Sequence, residues 1–270
     1  VSGAAGCLAV LLAAAARYQR PRLLEIALRL GDFLVEQARP MDGGVAWGGD
    51  AARPPLCGFS HGAGGVSLAL ADLQAVTGEA RFLGVAREGL AYERSQFDPA
   101  AGNWIDLRAP AGSPAATTAI AWCHGAPGIA LSRLGLLQAL GDDEAIRAEL
   151  DVALATTVQN LRAESSATGP PGSERPLPLG NISLCHGAFG NADVLLLAAR
   201  RLGQPALEQL ARDIGRLAVR QVEARGLSWP SGNPGMHPTP GLMLGDAGAG
   251  TFYLRLHDPD GIPSPLWVRP

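Results

Sequence analysis

The sequence contains no lysine, so all 22 of its basic residues are arginine. This absence excludes the enzymes that form a Schiff base through lysine and the nucleotide-binding loops that need a lysine for phosphate. An excess of charge of one sign is also absent, because 22 basic and 25 acidic residues leave a net charge of only −3. A nearly neutral chain gives no electrostatic reason to expect nucleic acid or an anionic membrane as a partner.

Long apolar runs and cysteines are also scarce. The longest apolar run covers residues 4–16, which is too short to span a bilayer and instead predicts a buried helix. No basic segment precedes this run, so it does not resemble a signal peptide. Four cysteines in 270 residues are too few for a disulfide framework. We therefore expect a cytoplasmic protein with reduced cysteines and no strong membrane signal.

Glycine, in contrast, is abundant, and much of it is periodic. A Gly-x-x-Gly pattern occurs five times, and its first glycines lie 59, 63, 62 and 58 residues apart along the chain. This regular spacing indicates an internal structural repeat. The five patterns begin at Gly3, Gly62, Gly125, Gly187 and Gly245.

Each pattern opens an apolar segment, such as residues 129–140 or 194–202, and an amphipathic segment follows in each complete repeat. Both kinds of segment have the periodicity of helices. The amphipathic segments cover residues 23–37, 82–94, 143–161 and 206–223. No alternating pattern is long enough to predict a substantial strand. Pairs of one apolar and one amphipathic helix predict an all-α fold, an α/α toroid with inner and outer helix rings, with a helical solenoid as the alternative.

Three repeats place a histidine directly before the first glycine, at His61, His124 and His186. Two of these histidines follow a cysteine, Cys123 and Cys185. In a ring of repeats these positions would share a rim at helix N-termini, where backbone N–H groups favour anions such as a thiolate. Two cysteines and a histidine suit zinc with a fourth position open to substrate. The alternative is that both cysteines are small buried apolar residues.

Around these residues the chain resembles the lanthionine synthetase C-like cyclase family, and the resemblance covers the whole chain. The most specific segments are WCHGAPGI at residues 122–129, SLCHG at 183–187 and PGLM at 240–243. The histidine at position 124 and the ending at residues 255–264 resemble the cyclase domain of the bifunctional class II lanthipeptide synthetases. The resemblance implies an α/α toroid with one zinc ion at its centre.

The resemblance also implies roles for the rim residues. Cys123, Cys185 and His186 are the implied zinc ligands, and His61 matches the family's catalytic histidine. His124 is the alternate acid–base group or a supporting one, since imidazole titrates near neutral pH.

Two further polar residues stand where the other repeats are mostly apolar. Asn191 and Asp193 are candidates to hydrogen-bond to a metal ligand and orient it. The alternative is that they satisfy each other.

The implied chemistry is intramolecular addition of a peptide cysteine thiol to dehydroalanine or dehydrobutyrine, which closes a (methyl)lanthionine thioether ring. The implied partners are a dehydrated precursor peptide with its leader and an N-terminal dehydratase domain of the same polypeptide. The sequence starts at Val1 without a methionine. We therefore interpret residues 1–270 as the C-terminal part of a single cyclase domain, with upstream toroid repeats and the dehydratase domain missing.

Two departures from the family concern proton transfer. Stand-alone cyclases carry an arginine where this chain has Ala119, and the family's catalytic aspartate would fall before Gly3. We therefore expect other groups to handle the protons.

Two other functions compete with the zinc-dependent cyclase. One is a degenerate cyclase-like module that binds a peptide or thiol without chemistry, although no predicted metal ligand is lost. The other is an unrelated α/α-toroid hydrolase such as a glycosidase. That class requires paired carboxylates, and the rim positions carry none.

Overall fold

The computed structural model describes residues 3–49, 53–108, 118–166, 179–226 and 228–270. Helices dominate this part of the chain, and its strands form two short hairpins. The nine α-helices of these ranges are α1 (Ala4–Tyr18), α2 (Pro21–Glu36), α3 (Ala63–Thr77), α4 (Ala80–Ser95), α5 (Ala126–Leu140), α6 (Glu144–Ser166), α7 (Ala188–Leu202), α8 (Pro205–Arg225) and α9 (Asp246–His257). The predicted all-α class is confirmed.

Every Gly-x-x-Gly pattern lies at the start of a helix. The first glycine of each pattern directly precedes the first turn of α1, α3, α5, α7 or α9. Helix α1 begins at Ala4 as predicted, whereas α5 begins at Ala126 rather than at residue 129 and α7 at Ala188 rather than at residue 194. The second glycine is tolerated inside the first turn, although glycine costs about 1 kcal/mol relative to alanine within a helix.

The amphipathic helices follow their predicted ranges more closely. Helices α2, α4 and α8 agree with the prediction to within two residues at each end, whereas α6 continues to Ser166 rather than ending at residue 161. Pro21 and Pro205 occupy the first turns of α2 and α8. Proline is favoured there because its missing N–H would have no partner within the helix.

Two hairpins interrupt the helices. Strand β1 (Arg39–Met41) pairs antiparallel with β2 (Gly44–Ala46), and β3 (Phe97–Asp98) pairs antiparallel with β4 (Asn103–Trp104). Strands of two or three residues are too short to produce a recognisable alternation in the sequence. The second hairpin matters for the candidate site because β4 carries Asn103.

The chain divides into two compact units. The first contains Val1–Ala119, Cys123–Ala153 and Trp267–Pro270. Its core forms where α3 packs against α1, α4 and α5. Leu70 and Leu73 of α3 and Phe82 of α4 are completely buried there. Burial of such a side chain stabilises a fold by about 1.5–3 kcal/mol, so these contacts hold α3 firmly in place.

The second unit has its core where α7 packs against α8 and α9. It contains Ile120–Trp122 and Leu154–Leu266. Phe189 of α7 stacks on Phe252 of α9 with ring centroids 4.4 Å apart. Asp193 of α7 forms a buried ion pair with Arg255 of α9 and accepts a hydrogen bond from the Ser264 hydroxyl. These contacts tie α7 to α9 and to the segment that follows α9.

The helices that start at the Gly-x-x-Gly patterns differ in how much of their surface is buried. Helices α3, α5 and α7 are buried along most of their length. In α1 only Leu8 and Leu12 are buried, while Cys7 and Val10 are exposed. The prediction that residues 4–16 form a buried helix is therefore only partly right, because α2 and α3 cover one side of α1. No helix in the described ranges is both long and apolar enough to cross a membrane.

Candidate functional site

The loops that carry the three His-Gly pairs reach α3, α5 and α7 through tight reversals of the backbone. In the first loop the N–H of Ala63 donates to the carbonyl oxygen of Leu56 at 3.0 Å. A Cβ atom on Gly62 would lie 2.5 Å from that oxygen, and a Cβ atom on Gly187 of the third loop would lie 2.6 Å from the carbonyl oxygen of Asn181. Only glycine allows so close an approach, so the glycine after each histidine is required by the loop itself.

The middle loop is built differently, around Asn103 of the second hairpin. The Nδ2 atom of Asn103 donates to the carbonyl oxygen of Ala119 at 3.0 Å, and its Oδ1 atom accepts from the N–H of Ala126 at 2.9 Å. The side-chain oxygen thus takes the place of the backbone carbonyl that accepts in the first loop. Gly125 has a φ of +85°, and a Cβ atom on it would lie 1.7 Å from the Ala119 oxygen. A buried amide therefore fixes this loop.

The first unit brings His61 and His124 together. Their imidazole rings are stacked, with centroids 5.0 Å apart and planes 17° apart. His61 is exposed, whereas His124 is buried. Burial lowers the pKa of His124 to about 4, and the positive charges of Arg108 and His61 act in the same direction while Asp106 opposes them. The site therefore pairs an accessible imidazole with a buried one that is neutral at physiological pH.

Asp106 and Arg108 are neighbours of this site that sequence reasoning missed. Arg108 Nε donates to Asp106 Oδ1 at 2.8 Å, and this hydrogen bond lowers the pKa of the Asp106 carboxyl. Both charges influence His124. Their only sequence signal is their position shortly after the Gly-x-Trp segment at residues 102–104, which gives no reason to place them near a histidine.

Cys185 and His186 lie at the start of α7 in the second unit, and backbone contacts hold both residues. The N–H of Cys185 donates to the carbonyl oxygen of Met243 at 2.9 Å. The Nε2 atom of His186 lies 3.0 Å from the carbonyl oxygen of Gly232. Asn181 Nδ2 donates to the carbonyl oxygen of His186 at 3.3 Å. Cys185 is half-buried and His186 is exposed.

The family model described as lanthionine synthetase C-like protein matches residues 1–267 of this chain. The chain belongs to the lanthionine synthetase C-like family. No curated protein sequence matches it.

Solved structures that are similar to this chain include nisin cyclase and a GH76 α-mannanase. Nisin cyclase matches with a TM-score of 0.67 and 16% identity over 96% of this chain and 63% of its own. The GH76 α-mannanase BT2949 of Bacteroides thetaiotaomicron matches with a TM-score of 0.57 and 15% identity over 93% of this chain and 67% of its own. Identities this low show the fold and not the function. They confirm the predicted fold class, the all-α toroid, and the chain spans less than two thirds of nisin cyclase.

The chemistry of the predicted ligand set is compatible with zinc. If Nε2–H of His186 donates to the Gly232 carbonyl, the Nδ1 atom carries the lone pair that a metal needs. Metal-bound histidines commonly donate their second N–H in this way. Within the described ranges, however, no three His, Cys, Asp or Glu side chains form a group placed to hold a metal ion. Cys123 belongs to the first unit and Cys185 and His186 to the second. Their assignment as ligands stays a prediction.

The remaining predicted site residues also lie on α7 and have partners of their own. Asn191 Nδ2 donates to the carbonyl oxygen of Ile120 at 3.0 Å, while its buried Oδ1 has no hydrogen-bond partner. Asp193 is completely buried and bonds to Arg255 and Ser264. That either residue orients a metal ligand stays a prediction.

The other two cysteines differ from the predicted ligands in their surroundings. Cys57 is buried beside the first loop, and burial, followed by the nearby Glu93 carboxylate, raises the pKa of its thiol. A free thiol has a pKa of about 8.5, so Cys57 stays protonated at neutral pH. Cys7 is exposed on α1.

Proposed function

We propose that this protein is a lanthionine-forming cyclase, which adds cysteine thiols of a precursor peptide to dehydroalanine or dehydrobutyrine and closes (methyl)lanthionine rings. The observation that carries the proposal is the stacked pair of His61 and His124 in a chain that belongs to the lanthionine synthetase C-like family. Nisin cyclase, which has a similar fold, is by its name a ring-closing enzyme, and this agrees with the proposal.

The proposed reaction needs a base and an acid at neutral pH. The S–H bond of the peptide cysteine breaks, and its sulfur forms a bond to the β-carbon of the dehydroamino acid. The electron pair of the double bond moves toward the α-carbon and its carbonyl group as an enolate. A proton then adds to the α-carbon, so the product has the same atoms as the substrate. One proton leaves sulfur and one arrives at carbon, and both transfers are suited to imidazole.

We assign these proton transfers to His61. Its imidazole is exposed, so a bound peptide can approach it. His124 packs against one face of the ring and limits its orientation. Burial, followed by the neighbouring charges of Arg108 and His61, lowers the pKa of His124, so His124 stays neutral at neutral pH and leaves the proton transfers to His61. We therefore assign His124 the supporting role rather than the alternate acid–base role.

We propose Cys123, Cys185 and His186 as the residues that would hold one zinc ion. When bound, zinc would hold the peptide cysteine as a thiolate, the nucleophilic form of a group whose free pKa is about 8.5. The chain's own contribution is to present these donors at the starts of α5 and α7, where backbone N–H groups favour negative charge.

The proposed substrate is a dehydrated precursor peptide that carries a leader. A ring-closing enzyme also requires a reaction that dehydrates serine and threonine before it acts. We propose that a dehydratase domain of the same polypeptide supplies it.

A thiol-counting assay tests the proposed function. The full-length protein is incubated with zinc and a peptide that contains one cysteine and one dehydroalanine, and samples are quenched with iodoacetamide. Ring closure consumes the thiol, so we expect the unalkylated fraction to rise faster with the protein than without it. In the control peptide alanine replaces dehydroalanine, and its cysteine should stay fully alkylated.

The competing functions predict different outcomes. A degenerate module would bind the peptide while its thiol count follows the reaction without protein. A toroid hydrolase would also leave the thiol count unchanged, and it would release sugar from a polysaccharide such as mannan. Either result would overturn the cyclase proposal.

A further inference from the structure

Helix α4 carries a glutamate in a position that normally belongs to an apolar residue. Glu93 continues the buried stripe of α4 formed by Phe82, Ala86 and Leu90, and its side chain is completely buried. A buried carboxylate is costly unless it is paired and hydrogen-bonded. Its contacts therefore indicate what it does in the fold.

One carboxylate oxygen of Glu93 holds both ends of the loop that carries His61. Glu93 Oε1 accepts a hydrogen bond from the N–H of Gly58 at 2.7 Å and another from the N–H of Gly64 at 3.1 Å. These two glycines lie three residues before and three residues after His61. A Cβ atom on Gly64 would lie 2.6 Å from Glu93 Oε2, so the absence of a side chain there admits the carboxylate.

The second carboxylate oxygen is held by an arginine from α5. Arg133 Nη1 donates to Glu93 Oε2 at 2.6 Å, and both side chains are completely buried. Arg133 Nε donates to Glu149 Oε2 at 2.6 Å, on the side toward solvent. A buried ion pair of this kind is weak evidence for net stability, because desolvation offsets the attraction between the charges. Its geometry, however, fixes where the Glu93 oxygens lie.

We propose that Glu93 is a positioning residue for His61. This role rests on the proposed function of His61 as the acid–base group. The two hydrogen bonds that Glu93 accepts from Gly58 and Gly64, which we call the Glu93 clamp, set the position of the His61 imidazole relative to the peptide. A misplacement of about 1 Å at a catalytic group can cost about 10²-fold in rate. Arg133 fixes the orientation of the Glu93 carboxylate by their ion pair. Glu149 binds the other side of Arg133 and, among the described residues, has no such hydrogen bond to the loop.

The test compares Glu93→Gln with Glu149→Gln in the full-length protein. Both variants remove one carboxylate from Arg133, but only Glu93→Gln removes the charged acceptor of the loop. We expect Glu93→Gln to lower kcat for ring closure at least about tenfold with KM and zinc content unchanged, and Glu149→Gln to keep kcat within about twofold. Hydrogen exchange at residues 58–64 should accelerate in Glu93→Gln only. Equal effects of the two variants on kcat and exchange would show that Glu93 serves only the ion pair.

A double variant separates positioning from general structural support. If Glu93 acts through His61, then His61→Ala/Glu93→Gln should be no slower than His61→Ala alone. If the fold losses in kcat of the two single variants multiply in the double variant, the proposal is contradicted. If Glu93→Gln does not fold, Glu93→Asp takes its place, because it keeps the charge but is too short to reach both N–H groups. Wild-type kcat and exchange in folded Glu93→Asp would also contradict the proposal.

The outcome also separates this inference from the proposed function. If His61→Ala closes rings at the wild-type rate, the catalytic role of His61 fails. The positional role of Glu93 is then tested by hydrogen exchange alone. It stands if exchange at residues 58–64 accelerates in Glu93→Gln and not in Glu149→Gln, and it fails otherwise.

Discussion

At the scale of single residues, the four cysteines occupy different surroundings. Cys7 is exposed on α1, Cys57 is buried in the loop before α3, and Cys123 and Cys185 each precede a histidine at the start of a helix. A zinc ligand must be deprotonated and lie near its co-ligands. The helix starts favour a thiolate through their N–H groups, whereas burial of Cys57 favours its thiol.

We predict that Cys123→Ala and Cys185→Ala each lose bound zinc while the helical content stays unchanged, because one of three protein ligands is removed. Metal analysis after gel filtration, together with circular dichroism, measures both quantities. Cys7→Ala is the matched control, and it should keep one zinc ion per chain because Cys7 is exposed on α1. Full zinc occupancy in the Cys123→Ala/Cys185→Ala double variant would contradict the ligand assignment.

His61 differs from the cysteines because its predicted role is in the chemistry and not in metal binding. We predict that His61→Ala keeps zinc and slows ring closure by about 10²–10⁴-fold, the usual contribution of a general acid–base group. His257→Ala at the end of α9, which is also exposed, is the control and should cyclise at the wild-type rate. Unchanged turnover in His61→Ala would mean that the imidazole has only a structural role.

At the scale of elements, the glycines decide where the helices begin. Gly125 before α5 and Gly141 after it have nearly the same backbone, with φ and ψ of 85° and −162° for the first and 85° and −168° for the second. Their surroundings differ, because a Cβ atom on Gly125 would lie 1.7 Å from the Ala119 oxygen, whereas a Cβ atom on Gly141 would meet nothing within 4 Å. Alanine substitutions at these two glycines therefore separate the cost of backbone strain from the cost of steric crowding.

We predict that Gly141→Ala lowers the free energy of unfolding by about 1–3 kcal/mol, the cost of a strained backbone alone. Gly125→Ala should cost at least a further ~1–3 kcal/mol from overpacking, or prevent folding. Urea unfolding followed by circular dichroism measures both. Equal losses in the two variants would show that the middle loop can move away from Gly125.

The link between α7 and α9 gives a second test at this scale. Asp193→Ala would leave Arg255 buried without its carboxylate, so we predict a loss of about 3–5 kcal/mol in the free energy of unfolding. Asp213→Ala removes the partner of Arg216 in an exposed pair on α8, and it should cost no more than about 1 kcal/mol. Similar losses in both variants would mean that Asp193 does not secure α7.

At the scale of the whole molecule, the sequence predicts the repeating helices because apolar periodicity and the glycine pattern are local signals. The same signals place His61 and His124 in equivalent positions, and the structure brings their rings together. The clamp of Glu93 and the influence of Arg108 on His124 arise from contacts between elements distant in sequence, which no local pattern records. Glu93 has one indirect signal, since it is a charged residue on an apolar helical stripe.

Uptake of deuterium during ring closure is the sharpest test of whether the protein adds the thiol to dehydroalanine. The peptide with one cysteine and one dehydroalanine is incubated with the full-length protein and zinc in D2O, then returned to H2O and analysed by mass spectrometry. Addition of the thiol places one solvent deuteron on the α-carbon, where it does not exchange back under mild conditions. We expect one retained deuterium per ring, formed faster with the protein than without it and at a much lower rate with His61→Ala. A peptide that binds but retains no deuterium and keeps its free thiol would show that the protein is not a cyclase.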